Sequence, residues 1–125
     1  MKLSHILFIS VLITAVLVTG LLTSSKLTHK IRQSVYGNNA LTGKYYSING
    51  FQMYCETYGS GQPLLMIHGN GGNITAFSKQ IPFFSKYYKV IVADSRAQGK
   101  STNPLPDSLT YEMMADDYAA LLTTL

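Results

Sequence analysis

A short apolar run that ends in a glycine-rich turn constrains the fold of this chain more than any other feature. Residues 63–67 read Pro-Leu-Leu-Met-Ile, and the next five residues read His-Gly-Asn-Gly-Gly. A continuous apolar run of this length is typical of a strand whose two faces are both covered. Glycines let the backbone turn sharply and leave N–H groups uncovered. The pattern therefore predicts a buried strand that ends beside a pocket of backbone amides suited to negative charge.

The surrounding pattern predicts an α/β domain. Two strand-like segments flank Asn49-Gly50, which is the strongest short signal for a two-residue hairpin. The next elements are two apolar strands and two helices, predicted at residues 64–67, 75–84, 89–93 and 109–125. A hairpin followed by strand, helix, strand and helix favours a mixed sheet with an antiparallel hairpin at one edge, parallel strands and flanking helices.

The N-terminus predicts a membrane-directed segment. Residues 3–22 contain no Asp, Glu, Lys or Arg and are long enough to cross a bilayer as one helix. Such a segment is either an uncleaved anchor or a signal peptide cut near the small residues that follow. We therefore divide the chain into an anchor or signal (residues 1–25), a linker (26–42) and a folded domain (43–125). The protein is expected to be a single-pass membrane protein or an exported one, and the side of the membrane stays open.

Charge and cysteine content exclude several classes of function. The formal net charge of +4 is spread along the chain without a dense basic stripe, so we expect no nucleic-acid partner. The single cysteine, Cys55, allows neither an internal disulfide nor a cysteine metal cluster, and it is expected to be a buried strand residue. No metal and no cofactor are expected.

Two motifs follow the predicted apolar strands, where function gathers in open α/β sheets. One is the His-Gly-Asn-Gly-Gly of residues 68–72, and the other is the Asp-Ser-Arg-Ala-Gln-Gly-Lys-Ser of residues 94–101. Here residues 44–125 resemble the front half of the α/β-hydrolase family, whose members often carry His-Gly and then an Asp-x-Arg-Gly-x-Gly-x-Ser-like loop. Four positions match that second loop: Asp94, Arg96, Gly99 and Ser101. The chain departs from it at Ala97, where glycine is usual.

The resemblance implies roles for individual residues. In that family one oxyanion-hole N–H comes from the first loop, which makes the backbone of Asn70 the expected donor and Gly71 a second candidate. His68 precedes any nucleophile, out of order for a catalytic base. Five residues are expected to support the site structurally: His68, Gly69, Asp94, Arg96 and Gly99. For Asp94 and Arg96 that support is a salt bridge or a hydrogen-bond network.

The sequence contains no Gly-x-Ser-x-Gly motif. The resemblance therefore implies an N-terminal fragment of a serine esterase-type hydrolase of a small ester-like molecule, without its nucleophile, acid and base. We expect this fragment alone to be inactive and poorly stable, because the edge of its strand at residues 64–67 lacks a partner. An aspartate nucleophile, as in dehalogenases and epoxide hydrolases, stays open. The alternative from another class is a non-catalytic, membrane-tethered binding module whose free strand edge pairs with a partner chain.

A nucleotide site is the remaining alternative at Gly99-Lys100-Ser101. A phosphate loop needs Gly-x-x-x-x-Gly-Lys-Ser/Thr at the start of a helix. Asp94 stands where the first glycine is required, and Pro104 interrupts the helix that would have to follow. We therefore expect no nucleotide to bind.

Overall fold

The structure is a computed structural model that describes residues 19–21, 23–24, 36–102 and 109–125. It divides the chain into two compact units, Met1–Gln33 and Ser34–Leu125. In the first unit the described residues are helical, and most of the predicted span at residues 3–22 lies outside them. No helix within the described parts of the chain has the length and apolar character needed to cross a bilayer.

The predicted hairpin is confirmed. Strand β1 (Gly43–Ile48) pairs antiparallel with β2 (Phe51–Tyr58), and Ile48 lies opposite Phe51. The two residues of the turn, Asn49 and Gly50, have φ angles of 43° and 83°. This left-handed pair is the type I′ turn whose twist matches that of the flanking strands, and Asn-Gly adopts it at low cost.

The four strands form one mixed sheet, as predicted. β3 (Pro63–Met66) pairs parallel with β4 (Lys89–Ala93), β4 pairs antiparallel with β2, and the strand order is β1-β2-β4-β3. The expectation that both faces of β3 are covered is wrong. Its side chains are only half-buried and Ile67 is 54% exposed. Within the described residues β3 lies at the edge of the sheet, where fewer neighbours cover it than cover β4.

The helix predicted at residues 75–84 is not continuous. The segment forms a short 3-10 helix (Ile74–Phe77) and then one turn of α-helix, α1 (Ile81–Phe84). Pro82 lies in the first turn of α1, where its missing N–H costs nothing, whereas within a continuous helix it would remove a hydrogen bond. The side chain of Asn73 caps the 3-10 helix by accepting from the N–H of Thr75 at 2.9 Å.

The second predicted helix is confirmed as α2 (Tyr111–Thr124). Its N-cap is Thr110, whose hydroxyl accepts from the N–H of Met113 at 3.1 Å. From α2 the side chains of Tyr118 and Leu121 are buried on one face of the sheet. The helix thereby covers the face opposite the connection between β3 and β4.

The strands alternate their side chains between two cores, one on each face of the sheet. Ile91 and Ala93 of β4 belong to the core under α2, while Val90 and Val92 belong to the core under the 3-10 helix and α1. Cys55 is buried in the first of these cores as predicted, and burial raises the pKa of its thiol to about 12. β4 is thus buried on both faces and fixes the position of the loop that follows it.

Part of the predicted linker is held by β2. The buried carboxylate of Glu56 accepts from the backbone N–H groups of Gly37 at 2.9 Å and Asn39 at 2.8 Å. It also accepts from the hydroxyls of Tyr54 and Tyr58. Burial, with the hydrogen bond to Glu56, raises the pKa of both tyrosines. The described part of the expected linker therefore packs with the domain, while residues 26–35 lie outside the described residues.

Candidate functional site

Two loops lie side by side at the carboxyl ends of β3 and β4. We call residues 67–72 the β3 loop and residues 94–102 the β4 loop. The N–H of Ser95 donates to Nε2 of His68 at 3.0 Å, and the N–H of Gly71 donates to Oε1 of Gln98 at 2.7 Å. His68 and Gly71 are three residues apart in the β3 loop, and their partners Ser95 and Gln98 are three residues apart in the β4 loop, so the two loops run side by side between these hydrogen bonds. The structure thus brings together the two motifs that the sequence singles out.

The β3 loop is a tight turn with Asn70 at its tip. The N–H of Gly72 donates to the carbonyl of Gly69 at 3.0 Å, and Gly71 has a φ of 72°. A four-residue turn with positive φ at its third position only is of type II, which favours glycine there. Asn70 is exposed, and its N–H has no acceptor among the residues that the structure describes.

His68 is buried beneath this turn, with both ring nitrogens hydrogen-bonded to backbone groups. Nε2 accepts from Ser95, and so the proton lies on Nδ1, which donates to the carbonyl of Gly69 at 2.8 Å. In this arrangement neither nitrogen is free to transfer a proton to or from another molecule. The ring instead connects the two loops. It also binds the carbonyl of Gly69, which belongs to the same peptide group as the N–H of Asn70.

Gly71, the second candidate donor, has its N–H occupied by Gln98. Of the two expected donors, only Asn70 has an N–H without a partner in the described part of the chain. Sequence reasoning missed Gln98. Its contact joins residues 27 positions apart in two different loops, and no local pattern signals such a contact.

The carboxylate of Asp94 is buried and organises the β4 loop. One oxygen accepts from the N–H of Ile74 and the other from the N–H of Lys100, each at 2.8 Å. Gly99 packs directly against this carboxylate, since a Cβ at that position would lie 2.2 Å from Oδ2. With a φ of 55° as well, position 99 favours glycine on two independent grounds.

Arg96 is buried and pairs with Asp117 of α2 rather than with Asp94. Its Nε and one terminal nitrogen donate to the two carboxylate oxygens at 2.9 Å and 2.7 Å. The guanidinium carbon also lies 4.1 Å from the centre of the Phe51 ring, and the side chain of Asn49 donates to Asp117 at 2.9 Å. Asp117, which the sequence did not single out, therefore joins the β4 loop, the hairpin turn and α2.

The groups that a phosphate loop would use are hydrogen-bonded within the β4 loop. The N–H of Lys100 donates to Asp94, and the hydroxyl of Ser101 donates to the carbonyl of Asp94 at 2.6 Å. The ammonium of Lys100 lies 4.6 Å from the centre of the Tyr54 ring. The amide of Lys100 and the hydroxyl of Ser101, which a phosphate loop would offer to its ligand, are therefore both engaged by Asp94, and residues 103–108 lie outside the described part of the chain.

A cavity of about 670 Å³ opens between the two loops and α2. Asn70 and His68 line it from the β3 loop, Ser95 and Gln98 from the β4 loop, and Tyr118 from α2. The hydroxyl of Tyr118 donates to the carbonyl of Ala93 at 3.2 Å and lies 2.9 Å from the hydroxyl of Ser95. Burial raises the pKa of Tyr118, which keeps it a neutral hydrogen-bonding group.

The cavity is therefore a mostly uncharged site of small-molecule size, and the N–H of Asn70 at its rim has no partner among the described residues. Among the described residues no three His, Cys, Asp or Glu side chains are grouped to hold a metal ion. Chemically, the N–H of Asn70 can donate a hydrogen bond to an oxygen or another electron-rich atom in the cavity.

Comparison with known proteins gives the same fold for this part of the chain. The family model described as the alpha/beta hydrolase fold matches residues 62–125. A fluoroacetate dehalogenase of Burkholderia sp is 36% identical over 75 residues, which are 57% of this chain and 25% of that protein. A soluble epoxide hydrolase of Corynebacterium sp. (strain C12) is 33% identical over 85 residues, which are 68% of this chain and 29% of that protein. The chain spans between a quarter and a third of the length of these two relatives.

Solved structures match about two thirds of the chain. The epoxide hydrolase CorEH without ligand superposes with a TM-score of 0.63 at 31% identity, covering 66% of this chain and 29% of that one. A thermophilic esterase from Thermogutta terrifontis, in a malate-bound structure, gives a TM-score of 0.60 at 29% identity, covering 66% of this chain and 31% of that one. The chain is thus similar to an esterase as well as to epoxide hydrolases.

Proposed function

Because the chain belongs to the α/β-hydrolase fold family, we propose that it supplies the N-terminal part of an enzyme that hydrolyses an ester or related acyl bond in a small molecule. The observation that carries this proposal is the N–H of Asn70, which has no partner in the described residues and lies at the rim of the cavity beyond β3. A preorganised N–H aimed at a developing oxyanion is worth about 10²–10³ in rate.

In this proposal the residues of the chain bind and orient, and the bond-breaking groups come from sequence outside residues 1–125. The N–H of Asn70 is one oxyanion donor, and in this family the second comes from the residue after the nucleophile. His68 and Gly69 fix the direction of the Asn70 N–H. Asp94, Arg96 and Gly99 hold the β4 loop against which the β3 loop packs. No cofactor takes part.

We propose a serine nucleophile first and an aspartate nucleophile as the second candidate. The esterase from Thermogutta terrifontis supports the first. The fluoroacetate dehalogenase and the epoxide hydrolases support the second. Both candidates use the same two loops. With a serine nucleophile the donor binds the oxyanion, and with an aspartate nucleophile the loops bind a halide or position the ester intermediate.

The test is an activity measurement on the full-length protein that contains this chain. Hydrolysis of p-nitrophenyl acetate with covalent labelling by a fluorophosphonate probe is the expected result for a serine nucleophile. For an aspartate nucleophile, single turnover of an epoxide or of fluoroacetate in H₂¹⁸O leaves ¹⁸O in the enzyme's carboxylate. Absence of turnover with all three substrate types would contradict the proposal. A defined complex with a partner chain and no turnover would instead favour the binding module.

We further propose that residues 3–22 attach the protein to a membrane or direct its export. Twenty residues without Asp, Glu, Lys or Arg support this. Carbonate extraction of membranes from expressing cells checks it, with the intact chain expected in the pellet if the segment is an anchor. Sequencing the N-terminus of the mature protein separates the two cases, since cleavage would place the first residue near position 25.

A further inference from the structure

We propose that Gln98 is a positioning residue of the hydrolytic site, which holds the turn of the β3 loop so that the N–H of Asn70 keeps its direction towards the substrate. This inference rests on the proposed function and concerns the same site. It adds a residue that the sequence motifs did not single out, at the position between Ala97 and Gly99.

The contact itself is short and fixes the orientation of the Gln98 amide. The N–H of Gly71 lies 2.7 Å from Oε1 of Gln98. Because an N–H can donate only to an acceptor, the oxygen of the side chain must be the atom that faces Gly71. Gln98 itself is held at both backbone ends, since its N–H donates to Ser95 at 2.9 Å and its carbonyl accepts from Ser101 at 3.0 Å.

Both peptide groups that flank Asn70 are held by hydrogen bonds, the first by two partners and the second by one. The carbonyl of the first peptide, that of Gly69, accepts from His68 and from Gly72. In a planar trans peptide the N–H points opposite to the C=O, so these two bonds set the direction of the Asn70 N–H. The N–H of the second peptide, that of Gly71, donates to Gln98.

The second peptide is the central peptide of the turn, and its orientation distinguishes type II from type I. Glycine at position 71 tolerates both arrangements, so the residue itself does not select one. Without the acceptor on Gln98 the peptide is free to rotate. Rotation of this peptide would alter the turn in which Gly72 donates to the carbonyl of Gly69, which is one of the two bonds that set the direction of the Asn70 N–H. Misplacement of a catalytic group by about 1 Å costs up to about 10²-fold in rate.

The experiment compares Gln98→Leu with Gln80→Leu in the full-length protein. Leucine at position 98 keeps much of the side-chain volume and removes the acceptor. The control alters an exposed glutamine in α1's N-cap position, whose side chain makes no capping hydrogen bond. We expect Q98L to lower kcat for the acyl substrate about 10-fold or more with KM within twofold, and Q80L to leave both unchanged.

A second variant, Gln98→Glu, keeps an acceptor at the same distance and guards against a folding defect in Q98L. Hydrogen exchange of the Gly71 amide is its readout, with protection expected in Q98E and lost in Q98L. Turnover by the unsubstituted protein with an unchanged kcat in Q98L would overturn the inference and leave the proposed function standing. No turnover by the unsubstituted protein would overturn both, and equal Gly71 exchange in all three proteins would overturn the inference alone.

Discussion

The two loops at the carboxyl ends of the parallel strands have opposite character. In the β4 loop Asp94 and Arg96 are 1% and 2% exposed; backbone N–H groups bind the carboxylate of Asp94, and Asp117 binds two of the three nitrogens of Arg96. In the β3 loop Gly69, Asn70 and Gly71 are exposed and carry no charge. The charged motif thus builds a scaffold, and the uncharged motif presents backbone to the cavity. The ionisable side chains of the two motifs are therefore engaged in hydrogen bonds, and the group at the cavity without a partner among the described residues is a backbone N–H of the β3 loop.

The two loops also differ in how tightly they pack around a glycine, although the two glycines compared have similar φ angles. Gly71 and Gly99 have φ angles of 72° and 55°, so both are left-handed. A Cβ at position 71 would meet no atom within 4 Å, whereas at position 99 it would lie 2.2 Å from Asp94. The β3 loop requires glycine for its backbone conformation, and the β4 loop requires it for its packing as well.

The largest expected effect is the loss of the ion pair under the β4 loop. Asp117→Ala leaves the buried guanidinium of Arg96 without its partner and is expected to cost about 3–5 kcal/mol of unfolding free energy. Urea denaturation measures it. The double variant Arg96→Met with Asp117→Leu is the control, because replacing a buried pair by apolar side chains is often close to neutral. A single variant as stable as the parent would show that the scaffold does not depend on this pair.

The second prediction compares the stability lost when alanine replaces Gly99 or Gly71. Gly99→Ala is expected to destabilise the protein by about 3 kcal/mol, since backbone strain and overlap with Asp94 add. Gly71→Ala is expected to cost only about 1 kcal/mol, because strain acts there alone. Thermal unfolding of the two variants checks the difference. Equal losses at both positions would mean that the β4 loop is no more tightly packed than the β3 loop.

The smallest effect tests the position where the chain departs from the family pattern. Ala97 has a φ of 61°, a left-handed conformation that an alanine adopts at a cost. Ala97→Gly is therefore expected to stabilise the protein, by about 0.5–1 kcal/mol once the greater freedom of glycine in the unfolded chain is subtracted. Denaturation midpoints at equal m-values measure the gain. A loss of stability would show that the methyl group of Ala97 makes a contact worth more than the strain.

The elements with local signals were predictable from the sequence, and those set by distant contacts were not. Asn49-Gly50 specified the hairpin because the turn type depends on those two residues alone. The single helix at residues 75–84 failed because Pro82 favours a helix start over a helix interior. The unpaired edge of β3 was predicted, but the expected coverage of both its faces was wrong, because an apolar run does not show how many neighbours cover a strand.

For the site, the sequence located the two loops but not the contacts between their side chains. The pairing of Arg96 with Asp117 joins residues 21 positions apart; the helix spacing places Asp117 on the face of Leu121 but does not identify its partner. The hydrogen bond from Gly71 to Gln98 depends in the same way on how β3 and β4 pair. The proposed roles of Asn70 and of its supporting residues remain predictions.

Replacing the backbone donor itself tests the proposed site most directly. Asn70→Pro removes the N–H of residue 70, while Asn70→Ala removes the side chain and keeps that N–H. If the backbone of Asn70 is an oxyanion donor, kcat of the full-length protein for p-nitrophenyl acetate stays within about threefold in N70A and falls about 10²–10³-fold in N70P. A folded N70P variant with the kcat of N70A would contradict the proposed role of this loop.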